Sequence, residues 1–334
     1  MTIAENIAHL RFGIQASKGT PSTVSAYGLY LADGTTVGSQ RTDEPFEETT
    51  GLRMRSDRYV SEVHAAGQPE FYVMPLSIGA LLYATLGAKA VTGASDPYTH
   101  TFTVATSRPW LTFWRSIGAL LFERSADCKV NTLTISGESG KPLRVTADVL
   151  GLTPVFKTAA EATATIEVTN RMMHYNGVGA LMLEGSAVAD IRGFQLVISN
   201  NGEVIPGDNL TGIDISEGEL TAQLTITKLF LATSMRNRLM YGGASPADNT
   251  AAVSAILELG GTPSVDFKFI RATGPERSLQ LQLHRVALAP YDIQPGTGNS
   301  PLTEGITLDC LQPAGGSTPI TAKVLNNQAT YAAS

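Results

Sequence analysis

The chain has 334 residues, 43% of them apolar and 16% charged, with a formal net charge of −6. Its length exceeds what one hydrophobic core usually fills, so two domains are expected, and its apolar fraction excludes an intrinsically disordered chain. The negative charge excludes non-specific retention of phosphate backbones, which depends on Lys and Arg releasing counterions.

The N-terminal stretch MTIAENIAHLRFG has an acidic residue where a signal peptide carries basic ones and lacks an apolar h-region. Next, Asp33 to Arg58 is polar, turn-rich and charged with both signs. Compact domains rarely hold structureless loops beyond about 15 residues, so this segment is expected to have a function. Alternating runs from Tyr59 to Met74 lead into a predicted helix with Ser77 as N-cap. Ile78, Leu81, Leu82 and Leu86 form its apolar stripe and Gly87 ends it. The window Phe71 to Leu86 is the most apolar of the chain, yet it is shorter than the ~20 residues of a membrane span and reads as core.

Strands are predicted at THTFTVA, WLTFWRS, KVNTLTISG and LRVTADVLGL. The second half adds RGFQLVISNN, ELTAQLTITKLFL, AAVSAILELGG, SVDFKFIRA, SLQLQLHRVAL and GITLDCLQP. A second helix starts at Thr233 or Ser234, carries Met235, Leu239 and Met240, and stops at Gly242. In each half a helix follows an alternating strand and precedes a turn-rich stretch. This predicts a duplicated fold, with one unit at 1–157 that includes the long 33–58 segment and another at 158–334. Along ELTAQLTITK, Leu220, Ala222, Leu224 and Ile226 oppose Glu219, Thr221, Gln223, Thr225 and Thr227, so one face is dry and the other wet. SLQLQLH repeats the pattern, and the helices are expected to cover one side of a sandwich or open barrel.

Chemical motifs are absent from the sequence. His9, His64, His100, His174 and His284 have no metal-ligand spacing, and there is no nucleophile elbow, P-loop or dinucleotide fingerprint. The carboxylates of DEPFEE and EGELTAQL read as solvated charge runs. Trp110 and Trp114 read as packing rather than a sugar platform. Cys128 and Cys310 are too few for a disulfide framework and are expected as reduced, buried thiols. No enzyme, metal or cofactor is expected.

RFGIQASKGTPST, PLSIGALLYATLGA, YTHTFT, CKVNTLTISGESGKPLRVTADVLG, GFQLVISNNGEVIPG and EGELTAQLTITKLF follow one another along nearly the whole chain. As an ordered set they resemble the tail tube (major tail) proteins of long-tailed, non-contractile bacteriophages. The resemblance implies a mainly β chain of two tandem tail-tube-type β-sandwich or barrel domains, each with one flanking short helix. It implies a structural virion protein of the tail, assembled in the host cytoplasm, that stacks as rings into a hollow tube for DNA delivery. Two tandem domains imply homotrimeric, pseudo-hexameric rings, with a homohexamer as the alternative. Implied partners are the tape-measure protein and DNA inside, and terminator and distal tail proteins at the ends, with no membrane. Arg41, Asp43, Glu44, Glu47, Glu48, Arg53, Arg55 and Arg58 would contact the adjacent ring. Glu62, His64, Glu70, Glu219, Thr221, Gln223, Thr225 and Thr227 would face the lumen. Rival readings are a tail terminator, distal tail or baseplate hub ring on the same fold, or a β-sandwich adhesin using Trp110, Trp114 and Tyr98.

Overall fold

Thr, Val, Ile and Leu alternating with polar residues favour pleated, half-buried strands through most of the chain. A computed structural model describes residues 8–23, 26–46, 54, 57–161, 164–165, 173, 181–188, 190–208, 210–270, 276–293 and 301–331. The first half contains β1 (Ala8–Ile14), β2 (Ala26–Leu29), β3 (Gly38–Pro45), β4 (Arg58–Gly67) and β5 (Glu70–Tyr72). Helix α1 (Pro75–Leu86) leads into β6 (Gly87–Thr92), β7 (Tyr98–Val104), β8 (Leu111–Ile117), β9 (Leu121–Glu138) and β10 (Arg144–Lys157). Then come the short β11 (Ala164–Thr165), β12 (Leu181–Leu183) and β13 (Ser186–Ala187), followed by β14 (Ile191–Ser199), β15 (Val204–Ile205), β16 (Asp214–Ile215) and β17 (Thr221–Leu229). Helix α2 (Ser234–Tyr241) precedes β18 (Glu258–Leu259), β19 (Val265–Ile270), β20 (Ser278–Leu283), β21 (Val286–Leu288), β22 (Thr303–Cys310) and β23 (Ile320–Asn326).

The larger sheet runs β11-β2-β1-β8-β9-β14-β17-β22-β21-β18, with β10 on the other edge of β9 and β3, β4 and β5 attached through β10. The smaller sheet runs β13-β12-β19-β20-β23-β7-β6. Both sheets take strands from both halves of the chain, and one buried apolar cluster extends from Leu10 to Tyr331. Phe194 of β14 meets Phe267 and Phe269 of β19 at ring separations of 5.2 and 5.3 Å, so side chains interdigitate between the sheets as in a β-sandwich.

Helix α1 departs from its predicted start. It begins two residues before Ser77, at Pro75, with Met74 extended at the cap position and no side-chain cap. Proline suits the first helical position because its missing N–H is unneeded there. The helix is also buried on nearly every side, not along one stripe, because it lies inside the sandwich against β9, β7, β23, β6 and β2. Helix α2 spans the predicted residues and ends at a left-handed Gly242, but none of its residues is buried.

The C-terminal segment seals α1. Asn326 Nδ2 donates to Pro75 O at 2.7 Å, and the buried Tyr331 hydroxyl donates to Leu76 O at 3.0 Å. A Cβ at Gly79 would overlap that hydroxyl, so glycine permits the close approach. His100 is fully buried beside the Tyr331 ring, with Nε2 2.7 Å from Gln328 O. Burial, aided by Lys89, pushes the His100 pKa down despite the hydrogen bond to Gln328. The unfolded imidazole titrates near ~6.5, above the folded one, so this stabilisation is complete above ~6.5 and is lost as pH falls. The urea midpoint should therefore drop between about pH 7.5 and about pH 5, and His100→Asn should flatten that dependence.

Candidate functional site: the hydrated sheet face and the β3–β4 arm

Strand β17 sorts its side chains as its sequence dictates. Ala222, Leu224 and Ile226 are buried, Thr221, Gln223 and Thr227 are exposed, and Thr225 is half-buried. Register carries the hydrated face across the neighbours: Thr225 opposes Gln195 of β14 and Thr307 of β22, and Gln195 opposes Ser136 of β9. Beyond β9, Thr134 opposes Thr146 of β10, which opposes Glu70 of β5. Glu70 and the β17 threonines thus belong to one sheet face despite a separation of some 150 positions in sequence, and Glu219 is exposed just before β17. Glu70, Thr134, Ser136, Gln195, Thr225 and Thr227 line a shallow recess of about 580 Å³.

Charges on this face are paired locally. The two cations of the recess are Arg144, which donates to Glu70 at 2.6 Å, and Lys141, which pairs with Glu138. The Lys141 contacts hold the Glu138 carboxyl below the usual range. Gln223 donates to Asp309 at 2.8 Å, and Asp148 accepts from Asn131 at 3.2 Å and from Gln68 at 3.3 Å. The face therefore presents hydroxyls, amides and carboxylates, with the two cations of its recess already engaged.

Glu62 and His64 sit elsewhere. Strand β4 pairs with β10 only over Ala65–Gly67, so Glu62 and His64 continue past the sheet opposite Thr42 and Gln40 of β3. His64 Nδ1 lies 3.4 Å from Glu62 Oε1, and the 204–215 segment comes alongside where Val63 N–H donates to Leu210 O at 2.8 Å.

The polar 33–58 segment is not simply a loop, because Gly38–Pro45 forms a strand antiparallel to β4. Arg41 is bound within the arm by Asp43 at 2.6 and 3.1 Å, and the Tyr59 hydroxyl donates to Glu44 at 2.9 Å. The Phe46 and Tyr59 rings meet at 5.1 Å yet remain 46% and 43% exposed, and Met54 is 82% exposed. Arg58 is exposed at the start of β4. Glu47, Glu48, Arg53 and Arg55 lie outside the described residues.

A family model for phage tail tube proteins matches residues 5–309. The chain belongs to the phage tail tube protein family. It is a structural component of the virion tail, of a family that self-associates into a tube together with other tail components. No curated protein matches the sequence. The mainly antiparallel β-sandwich with two short helices agrees with that membership. Among the described residues no metal-binding group of His, Cys, Asp and Glu occurs, and no helix is long and apolar enough to cross a membrane. Trp114 is 7% exposed, and Lys129 and Lys18 stand 4.3 and 5.2 Å from the Trp110 ring centre, so neither tryptophan offers an open face. Tyr98 lies on the other sheet. Cys128 is buried and Cys310 half-buried, both free, and burial pushes both thiol pKa values up, to about 12 for Cys310.

Sequence reasoning misses the charged cluster that anchors this tube protein's 201–218 segment. Arg108 and Lys129 side chains are 3% and 7% exposed, and both bind Glu217: Arg108 Nε donates at 2.6 Å, and Lys129 donates to the other oxygen. Arg108 also donates to Val130 O, and Lys18 bridges to Asp214 at 3.0 Å. Burial works to raise the Glu217 pKa, but its two cations outweigh that and hold it below the usual range. Residues 108, 129 and 217 carry no mutual spacing signal, and only register brings them together. Removing the carboxylate deprives two buried cations of their counter-charge, but Glu217 itself is solvent-accessible and both cations keep other contacts, so Glu217→Ala should cost about 1–2 kcal/mol by urea denaturation, with tryptophan fluorescence reporting the loosened segment.

Proposed function

We propose that this chain polymerises as stacked rings into the hollow tail tube through which viral DNA reaches the host. The observation that carries the reading is the continuous hydroxyl- and amide-rich face from β5 to β22, whose two recess cations, Arg144 and Lys141, are internally paired. Such a wall gives a sliding duplex few phosphate-holding points, because retention requires Lys or Arg to release counterions. On this reading Glu70, Glu219, Thr221, Gln223, Thr225 and Thr227 face the lumen, with Glu62 and His64 nearer its rim. The tape-measure protein occupies the bore before DNA does, and terminator and distal tail proteins close the ends. The chain carries out no catalysis, uses no cofactor, and assembles in the host cytoplasm.

The chain is read as two fused tube units, so three copies make a pseudo-hexameric ring. Support comes from the recurring order of elements: β5, α1, the small-sheet hairpin β6–β7, then β8 and β9 of the large sheet, against β17, α2, β19–β20, then β21 and β22, with the two-residue β18 of the large sheet inserted after α2. The β3–β4 arm, with Arg41, Asp43, Glu44, Glu47, Glu48, Arg53, Arg55 and Arg58, reaches the adjacent ring. Exposed ion pairs are each worth little, but the same set repeats in every ring.

Electron microscopy of the purified protein tests the reading. Long striated tubes with a three-fold, six-lobed cross-section are expected. Isolated rings would reassign it to a terminator, distal tail or hub role, and a six-copy ring would remove the fused-unit reading. Gln223→Lys, Thr225→Lys and Thr227→Lys together should leave tubes intact but slow DNA ejection at low salt, with recovery as salt rises. Deleting residues 40–51 should leave soluble, folded protein that no longer elongates into tubes.

A further inference from the structure

Ala251–Gly261 has the composition of a strand, yet only Glu258–Leu259 forms one, with β21; before it, Val253 N–H donates to Met240 O of α2 at 2.8 Å and Leu257 O accepts from Leu288 N–H at 2.9 Å. The six preceding residues, Ala251 to Ile256, are all exposed although five are apolar and none is charged. Ile256 is 76% exposed and Val253 43%. They border a groove of about 480 Å³ whose floor includes Leu239 and Met240 of α2, Ala287 and Leu288 of β21, and Leu311. The groove flanks β18 and β21, the last strands in the large sheet's order. An uncharged, strand-forming run at a sheet edge is an aggregation hazard unless a partner covers it.

The first helix indicates what the cover is. Helix α1 follows β5 and precedes the hairpin β6–β7, and β23 with residues 326–331 of the second half bury it. Helix α2 follows β17 and precedes β19–β20, and no described residue of the chain gives it a comparable cover. A copy arriving in the same rotational sense brings its own surface to α2 as a heterologous, ring-closing contact.

We propose that residues 251–256 and the groove beside α2 seat the first half of a second copy within the same ring, with 251–256 becoming strand-paired there. The inference rests on the ring-forming reading above. Asp309, the charged residue that lines the groove, accepts from Gln223 at 2.8 Å, and the flanking charges, Arg238 with Glu184 and Arg285 with Glu258, are paired within the chain, so the contact is mainly apolar in kind.

The test compares full-length wild type with Ile256→Asp, Val253→Asp and the conservative Ile256→Leu, using sedimentation, electron microscopy and amide hydrogen exchange. Both altered side chains are exposed in the subunit, so thermal unfolding of the free protein should not change. The Asp variants should remain monomers and Ile256→Leu should form tubes. Amides of 251–256 should exchange at least about tenfold more slowly in wild-type tubes than in the Asp monomers. Asp variants that assemble as wild type does, or amides that exchange equally fast in tubes, overturn the seat while leaving the tube reading intact. Wild type that forms neither rings nor tubes overturns both. The arm-deleted protein should still protect 251–256, and loss of protection there would place the contact between rings and overturn the in-ring assignment.

Discussion

The architecture depends on one strand sharing its two edges unequally. Strand β9 gives one edge to β10 along most of its 18 residues, while its other edge serves β8 up to Cys128 and β14 from Thr132. Two register shifts flank this change of partner: the β8–β9 pairing shifts where Asp127 adopts φ 52°, and the β9–β10 pairing shifts at Asn131. Aspartate tolerates that left-handed conformation better than most residues. Gln15 holds it there: its Nε2 donates to Asp127 Oδ1 at 3.0 Å, and its Oε1 accepts from Asp127 N–H at 2.9 Å. Gly19 N–H adds a third bond at 2.7 Å. A buried, reciprocated pair thus fixes the bulge beside which β8 pairing ends at Cys128, with β14 pairing beginning further on at Thr132. The hydrated face continues into the second half because β14 takes that stretch of the β9 edge and β17 then pairs with β14.

Covering the dry side is what frees the other side to stay wet. Ile226, Leu224, Leu196, Leu133, Ile135, Val145 and Ala147 all turn inward against the smaller sheet and α1. Fully burying a Leu or Ile contributes about 1.5–3 kcal/mol, so these strands gain their stability from one face. The outward residues have no packing role and are free to be threonine, serine and glutamine. The wetness of the face and the completeness of α1 burial are two outcomes of the same alternation.

Local periodicity was enough to read the two-faced strands. ELTAQLTITK and SLQLQLH bury Leu224, Ile226, Leu279, Leu281 and Leu283 as their alternation marks, Leu220 stays half-buried before the strand begins, and the window around Ile78 is the core helix. Ser77 is a good cap by type, but Pro75 takes the first helical position two residues earlier. All-round burial of α1 has no signature in a stripe count, since small residues such as Gly79 and Ala80 look neutral until a second sheet and Tyr331 press on them. What composition could not reveal is long-range: β23 returning to pair with β7, β14 joining β9, and Glu217 meeting Arg108 and Lys129. AAVSAILELGG reads as a strand, but a strand needs an edge to pair with, and most of this one finds none within the chain.

Those misreadings divide by cause. Where the chain supplies the partner, a weak local signal becomes ordered structure: charged Gly38–Pro45 is a strand because β4 runs beside it. Where it does not, a strong local signal stays unused, as at Ala251–Ile256. Pairing decides strand formation more than propensity does, because an isolated strand leaves its N–H and C=O groups to water and gains no cross-strand contacts. In a family whose members associate into tubes, unspent strand signal at the end of a sheet and exposed rings at the end of an arm have a common physical origin. On the proposed reading both are surfaces whose free energy is recovered when another copy arrives.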